Sequence, residues 1–297
     1  MVNPVQLELT DLISLKAQAD FLGLPVNKKN SFIGFGNNKS VFKSRGLNFQ
    51  EVRQYQPGDD IRQIDWRVTA KYGKPFTKLY AEDKEKEVYI LCDLRPSMQF
   101  ASHGHFKSVM AGRLSALVGF LAEKKNDTLA YQILSNHLIQ SLGIMSAKDA
   151  LPHLLNQLTH TAAKESDVLF SHIIPFLEQN IRPGSLIFLI SDFADTTADD
   201  LNFLGELAQK NTVTFIHLYD DMEINLPKGV LPFSNGHQEV LIDTHSKTFQ
   251  KSFQDSWIHR TNLLRKAVQK YHMGYLSLST NSDYLNQFQI FCSGDQL

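Results

Sequence analysis

Short apolar runs alternate with helical periods through the part of the chain that follows residue 86. The apolar runs predict strands at Val88–Cys92, Leu129–Leu134, Leu186–Ser191, Val213–Leu218 and Tyr275–Leu278. Between them, apolar residues recur about every 3.6 positions and predict helices, of which the longest are Phe106–Lys124 and Phe249–Tyr271. Because strands joined by helices lie parallel in one sheet, the pattern predicts an α/β fold, a doubly wound and mostly parallel sheet with helices on both faces.

Smaller elements complete this pattern. Helices are expected at Ala147–Leu158, Ser166–Gln179, Thr196–Gln209 and Asp283–Phe291, and extended arms at His137–Leu142 and Glu239–Asp243. Before residue 86, Leu7–Leu22 predicts an amphipathic helix, and residues 24–50, rich in Asn, Lys, Gly and Ser, predict a loop. We therefore expect an N-terminal helical and loop extension over residues 1–85 and an α/β domain over residues 86–297.

The composition is that of an ordinary globular protein, with 297 residues, 30 Lys and Arg against 31 Asp and Glu, and 42% hydrophobic residues. Without a net positive charge, general nucleic-acid binding lacks the cations that phosphate backbones require. The two cysteines are too few for a disulfide framework or a multi-cysteine zinc site. No secretory signal pattern is visible, and the longest apolar runs are far shorter than the roughly 18–20 residues of a membrane span, so a cytoplasmic location is expected.

Acidic residues follow several of the predicted strands. The carboxyl ends of parallel strands form the functional edge of such a sheet. The residues just after these strands include Asp93, Asp192, Asp195, Asp220, Asp221 and Glu223. A rim of carboxylates suits a divalent cation, which prefers oxygen ligands. Acidic residues are also common at helix N-termini, where the helix dipole stabilises them, and position alone does not decide between the two explanations.

A pair of motifs at this edge is more specific. Asp93-Leu-Arg-Pro-Ser97 follows the first strand of the α/β part, and Asp192 follows the central strand. This arrangement resembles the von Willebrand factor A fold, whose metal-ion-dependent adhesion site combines Asp-x-Ser-x-Ser, a Thr from a later loop and an Asp after the central strand. The resemblance implies Asp93, Ser97 and Asp192 as ligands of Mg²⁺ or Mn²⁺, with Ser166 in the place of the Thr.

Arg95 departs from that motif because it stands where the first serine belongs. Its guanidinium either repels a metal ion or takes its place and pairs with Asp93 and Asp192 through charge-assisted hydrogen bonds. We expect the second arrangement, a neutralised and metal-free site. The alternative is an Arg95 side chain that points to solvent.

A second resemblance covers more of the chain. Residues 49–67 read Phe-Gln-Glu-Val-Arg-Gln-Tyr-Gln-Pro-Gly-Asp-Asp-Ile-Arg-Gln-Ile-Asp-Trp-Arg. This run resembles the signature of domain-of-unknown-function family fifty-eight (DUF58), which directly precedes a von Willebrand A domain, and the match continues to the C-terminus. The residues that characterise this signature are Arg53, Tyr55, Pro57, Gly58, Asp59, Asp60, Arg62, Asp65 and Trp66.

Elementary chemistry gives these signature residues a structural role. The three aspartates are expected to cap turns or to pair with Arg53, Arg62 and Arg67, while Tyr55 and Trp66 supply an apolar anchor. The favoured interpretation is a clasp that docks the N-terminal segment. A partner-binding or catalytic role is the alternative.

The function expected from these features is that of a non-enzymatic protein-interaction module. Phosphate-loop, zinc-protease, nucleophile-elbow and dinucleotide-binding motifs are all missing from the sequence. The family resemblance implies an adaptor that works with a MoxR-type AAA+ ATPase in the assembly or remodelling of other proteins, through a degenerate adhesion site. Two alternatives remain: a divalent-metal-dependent hydrolase that uses the Asp93/Asp192 cleft, and a purely structural subunit.

Overall fold

The structure is a computed structural model that describes residues 3–20, 22, 47–82, 85–135, 139–160, 167–234 and 239–293. The chain forms two compact units, a larger one of residues 1–30 and 86–297 and a smaller one of residues 31–85. The domain boundary that the sequence predicted after residue 85 coincides with the C-terminal limit of the smaller unit. The N-terminal helices belong to the larger unit.

Helices and strands are numbered here in chain order. The helices are α1 Leu9–Ser14, α2 Lys16–Ala19, α3 Trp66–Tyr72, α4 Lys107–Lys125, α5 Ala147–His160, α6 Ile174–Asn180, α7 Ala198–Ala208, α8 Asp221–Ile224, α9 Lys247–Tyr271 and α10 Tyr284–Ser293. The strands are β1 Leu47–Gln54, β2 Phe76–Glu82, β3 Glu87–Asp93, β4 Thr128–Leu134, β5 Ile139–Ser146, β6 Leu186–Ser191, β7 Thr212–Tyr219, β8 Val230–Ser234, β9 Glu239–Asp243 and β10 Gly274–Ser279.

The larger unit is built around a six-stranded sheet with the order β10-β7-β6-β3-β4-β5. Neighbouring strands are parallel except for the edge strand β5, which pairs antiparallel with β4. Apolar clusters fill both faces of the sheet. The predicted α/β fold, doubly wound and mostly parallel, is therefore confirmed.

Continuous apolar runs form the central strands because both faces of the sheet are covered. All six residues of β6 are buried. Helix α4 is buried from Lys107 to Ala122, since it packs against β3, α2 and α5. The fit is close at Gly119, where an added Cβ would lie 2.7 Å from a methyl group of Leu151.

Three elements differ from the sequence prediction. Leu7–Leu22 forms two short helices, α1 and α2, instead of one. The loop expected over residues 24–50 falls mostly outside the described residues, but residues 47–50 belong to strand β1. The helix expected over 166–179 is shorter, with a 3₁₀ turn at Phe170–Ile173 followed by α6. Pro175 lies in the first turn of α6, the part of a helix where proline is tolerated.

The smaller unit is an antiparallel pair, β1 and β2, whose connection carries the signature residues and α3. Asp59 accepts hydrogen bonds from the Gln56 N–H and from the Arg53 guanidinium, at 2.9 and 2.7 Å. Asp60 and Asp65 cap the following 3₁₀ turn and α3. The expected capping roles and the Arg53 ion pair are present in the structure.

Two expected arginine partners and one expected anchor are wrong. Arg62 and Arg67 contribute their backbone N–H groups, not their guanidiniums, to Asp60 and Asp65. These contacts span two residues, a distance at which an aspartate reaches the backbone N–H of a cap. Lys78 is the cation that pairs with Asp65, at 3.6 Å. Trp66 does not act as a buried anchor, since it is 67% exposed.

Substitution of Asp65 by alanine is expected to destabilise the smaller unit by about 1–2 kcal/mol, because the N-cap of α3 accepts from Arg67 and Val68 N–H groups. Hydrogen exchange of the α3 amides measures the loss. Asp65→Asn is the control, since asparagine also caps helices and loses only the Lys78 ion pair. Equal exchange in both variants would assign the effect to the ion pair instead of the cap.

Across the described ranges, none of the helices combines the length and apolar character required to cross a membrane.

Candidate functional site

The carboxyl ends of β3 and β6 lie where the strand order reverses direction, the position at which sheets of this kind form a binding crevice. The chain continues from β3 to its neighbour on one side and from β6 to its neighbour on the other. Cys92 pairs with Ile190, so Asp93 lies beside Ser191, whose hydroxyl donates a 2.7 Å hydrogen bond to it. Asp93 and Asp192 thus reach the same edge of the sheet from distant parts of the sequence.

Arg95 lies at the centre of this edge, with only 7% of its side chain exposed. Its Nε and Nη2 atoms donate to the two oxygens of Asp93 at 3.0 and 2.8 Å. Its Nη1 and Nη2 atoms donate to the two oxygens of Asp195 at 2.7 and 2.9 Å. The remaining Nη1 hydrogen bond goes to the Val168 carbonyl at 3.0 Å. All five N–H donors of the guanidinium are therefore used.

This bonding corrects the sequence expectation in one detail. Arg95 takes the cationic position at the edge and does not point to solvent, but its second carboxylate is Asp195 and not Asp192. Asp195 also accepts the Phe170 N–H at 2.8 Å. The guanidinium consequently ties together three segments: the turn after β3, the extended residues before α6 and the loop after β6.

The loop after β6 is held in a costly conformation. Phe193 has a φ of +51°, in the left-handed region that costs a residue with a side chain roughly 1–2 kcal/mol. Its N–H donates to the Ser191 hydroxyl at 3.0 Å, and its ring stacks on Phe215. These contacts, with the Arg95–Asp195 pair, fix the loop against the sheet.

Lys107 supplies a second cation, which the sequence analysis missed. As the first residue of α4, its Nζ donates to Asp192 at 3.0 Å and to Glu223 at 2.5 Å, and its side chain is 3% exposed. Glu223 also pairs with Arg260 of α9 at 3.3 Å. A signal was available in the sequence: a lysine in the first turn of a buried helix opposes the helix dipole and needs a carboxylate partner.

Asp192, Lys107 and Arg95 have pKa values shifted in the direction that favours their charged forms. Burial alone raises the pKa of Asp192, but the charge and hydrogen bond of Lys107 and the Ala194 N–H hold it below its ordinary value. Burial likewise lowers the pKa of Lys107, and the charges of Asp192 and Glu223 reverse that effect and raise it. The pKa of Arg95 is raised in the same way by Asp93 and Asp195, against the effect of burial.

The other acidic residues of the rim act as local caps. Asp220 is fully buried and accepts from the Ser102 N–H, the Met222 N–H and the Thr280 hydroxyl at 2.7, 2.9 and 2.5 Å. Burial raises its pKa, and these hydrogen bonds lower it below the ordinary value. Asp221 accepts from the Ser279 hydroxyl. Their role is therefore to hold the junction of β7 and α8 against the loop before α4 and the end of β10.

The donor set does not fit a divalent cation in this arrangement. Each oxygen of Asp93 already accepts two hydrogen bonds, three from Arg95 and one from Ser191. The oxygens of Asp192 accept from Ala194 and Lys107. Ser97 lies exposed in a 3₁₀ turn, and Ser166 is outside the described residues. Within the described part of the chain, no group of three or more His, Cys, Asp and Glu side chains is arranged to hold a metal ion.

Comparison with known proteins places these features in a family. The profile of the family described as "Protein of unknown function DUF58" matches residues 51–262. An uncharacterized protein of Mycobacterium tuberculosis is 24% identical over 215 residues, which cover 72% of this chain and 68% of that protein. The uncharacterized protein YeaD of Bacillus subtilis is 22% identical over 160 residues, covering 54% of this chain and 37% of YeaD.

Solved structures that align with part of this chain include a von Willebrand A domain. BatB from Bacteroides thetaiotaomicron aligns with 70% of this chain and 98% of its own, at 14% identity and a TM-score of 0.42. The SpRpn10 VWA domain aligns with 69% of this chain and 94% of its own, at 10% identity and a TM-score of 0.37. The profile match spans most of the sequence, and the chain therefore belongs to the DUF58 family.

Proposed function

We propose that this protein is a non-enzymatic interaction module, an adaptor for a MoxR-type AAA+ ATPase in the assembly or remodelling of client proteins. Its crevice is a degenerate adhesion site, in which Arg95 and Lys107 take the place of a metal ion. The observation that carries the proposal is the double bidentate pairing of Arg95 with Asp93 and Asp195.

A cation built into the chain keeps the crevice assembled without a bound ion. Arg95 and Lys107 neutralise carboxylates on β3, on β6 and in the loops beside them. Charge-assisted, bidentate pairs of this kind fix geometry as well as charge. The interaction surface is therefore preformed, and its binding is independent of Mg²⁺ or Mn²⁺.

An acidic side chain of the partner would enter this crevice by replacing Asp195. Every N–H donor of Arg95 is already in use, so a new carboxylate needs one of the present ones to leave. Asp93 is fully buried, whereas the Asp195 side chain is 29% exposed and lies in a loop. Asp195 is thus the carboxylate that a partner displaces.

Binding to a purified MoxR-type AAA+ ATPase from the same organism tests the adaptor role and the displacement of Asp195. The purified proteins are expected to bind in a pull-down and by biolayer interferometry, and binding persists in EDTA. Asp195→Asn is expected to tighten binding about tenfold, because the competing carboxylate is removed. Asp243→Asn, at a 66% exposed carboxylate of the same unit, is the matched control and leaves affinity unchanged.

The outcomes separate the two parts of the proposal. Absence of any complex with the ATPase would overturn the adaptor role. A complex that is weakened by Asp195→Asn would show that Asp195 supports the binding surface and does not compete with the partner.

A further inference from the structure

The smaller unit exposes three large apolar side chains in a short stretch of sequence. Ile61, Trp66 and Tyr72 are 63%, 67% and 60% exposed. Single exposed apolar residues are normal in a folded protein. Three of them this close together, two of them aromatic, indicate an interaction surface.

Local bonds fix the helix that presents these side chains. The Thr69 hydroxyl accepts the Phe76 N–H at 3.0 Å, and the Asp65 N–H donates to the Phe76 carbonyl at 2.8 Å. The side of α3 that carries Thr69 therefore faces β2. Its outer face carries Trp66, Arg67, Ala70 and Lys71, all exposed. Because the helix is capped and held, Trp66 is presented with little conformational freedom to lose on binding.

Four cations lie in the same stretch of sequence as the exposed rings. Arg62, Arg67, Lys71 and Lys74 are exposed, and no carboxylate among the described residues forms an ion pair with any of them. Three acidic residues lie nearby in the sequence. Asp59 pairs with Arg53, and Asp65 caps α3 and pairs with Lys78. Asp60 is exposed and accepts the Arg62 N–H, so the four cations outnumber the one remaining carboxylate. The outer face of this segment is therefore positively charged, although the whole chain has a net charge of −1.

We infer that this face is a docking surface for an acidic segment of a protein partner, one that places an apolar side chain against Trp66. We call it the α3 surface, formed by Trp66, Arg67 and Lys71 on the outer face of α3, with the exposed residues Ile61, Arg62 and Lys74 of the segments directly before and after the helix. Tryptophan, tyrosine and arginine are the residues that most often carry binding energy in protein interfaces. These cations, which have no carboxylate partner among the described residues, select a partner of opposite charge and speed its association. The surface lies in the smaller unit, does not involve Arg95, and goes beyond the function proposed above.

The arrangement of the apolar groups favours a protein over a membrane. An interfacial helix needs its apolar side chains on one stripe. Trp66 and Tyr72 are six residues apart on a seven-residue helix, which separates them by about 120° around its axis. The Tyr72 ring is also engaged on its own side of the helix, 5.6 Å from the Phe76 ring and 5.5 Å from Lys71 Nζ.

Tryptophan fluorescence provides a direct test, because the chain has only two tryptophans. In a Trp257→Phe background, Trp66 is the sole tryptophan of the full-length chain. A random peptide library is selected against this protein, and selected peptides are then added in solution. We expect them to combine Asp and Glu with Leu, Phe or Trp, to shift Trp66 emission to shorter wavelength and to protect it from iodide.

Matched variants locate the binding site. Arg67→Glu with Lys71→Glu is expected to weaken peptide binding at least about tenfold. Lys251→Glu with Lys266→Glu makes the same change of charge at exposed positions of α9 and should leave affinity unchanged. Asp195→Asn should also have no effect, which separates this surface from the crevice.

Three results would overturn the inference. The first is selected peptides without enrichment in acidic residues. The second is equal loss of binding in the two charge-reversal variants. The third is a Trp66 response to phosphatidylglycerol vesicles or to single-stranded DNA but not to the selected peptides, which would assign the surface to a membrane or a nucleic acid.

Discussion

Replacement of Arg95 by serine is expected to lower the free energy of unfolding of the larger unit by about 3–5 kcal/mol at neutral pH. The substitution leaves Asp93 fully buried and Asp195 largely buried without their shared counterion. It also removes the side chain that joins the turn after β3 to the loop after β6 and to the Val168 carbonyl. Urea unfolding followed by circular dichroism measures the loss.

Arg182→Ser is the matched control for this variant. Arg182 also pairs with a carboxylate, Glu87, at 3.3 Å, but its side chain is 78% exposed. Exposed pairs contribute about 1 kcal/mol or less. Similar losses of unfolding free energy in the two variants would mean that burial does not strengthen the Arg95 ion pairs. That result would contradict the hypothesis that Arg95 neutralises the crevice.

The same substitution also tests the relation to metal ions. It restores a serine at the position where the adhesion motif has one, and it removes the guanidinium that competes with a cation. Millimolar Mg²⁺ or Mn²⁺ is therefore expected to raise the melting temperature of Arg95→Ser and to leave that of the wild type unchanged. Saturable, micromolar binding of either ion by the wild type in a calorimetric titration would contradict a metal-free crevice.

Substitution of Lys107 by methionine is expected to cost about 3–5 kcal/mol at pH 7, because it leaves Asp192 charged and buried without a cation. The loss depends on pH. In the wild type the pKa of Asp192 lies below its ordinary value of 3.8, so its contribution to stability is present above about pH 4 and is lost as the pH falls further. In the variant burial dominates and the pKa lies above 3.8, so stability falls as the pH rises from 4 to 7.

Chemical denaturation at pH 4 and pH 7 tests the direction of this pH dependence. The deficit of Lys107→Met relative to the wild type should be smaller at pH 4 than at pH 7. Addition of Asp192→Asn should recover most of the stability at pH 7, since the uncompensated charge is then gone. A double variant as unstable as the single one, with no dependence on pH, would show that Lys107 acts through packing alone.

The sequence predicted the sheet well because the interior strands are apolar throughout and short. Leu186–Ser191 was predicted with the limits that β6 has, and the limits of β3, β4 and β7 were predicted to within one residue. The smaller unit was less predictable. Its strands β1 and β2 lack a strong apolar pattern, and Trp66, which was expected to supply an apolar anchor, is 67% exposed.

Sequence order alone determined that acidic residues would gather at one edge, since the ends of parallel strands meet there. It also showed, through Arg95, that a positive charge stands at that edge. The tertiary structure determined which carboxylate pairs with each cation. Asp195 approaches Arg95 because Phe193 adopts a left-handed backbone, and Lys107 reaches Asp192 because α4 begins beside β6. Ion pairs depend on distances of a few ångströms between distant segments, and neither periodicity nor spacing in the sequence encodes such distances.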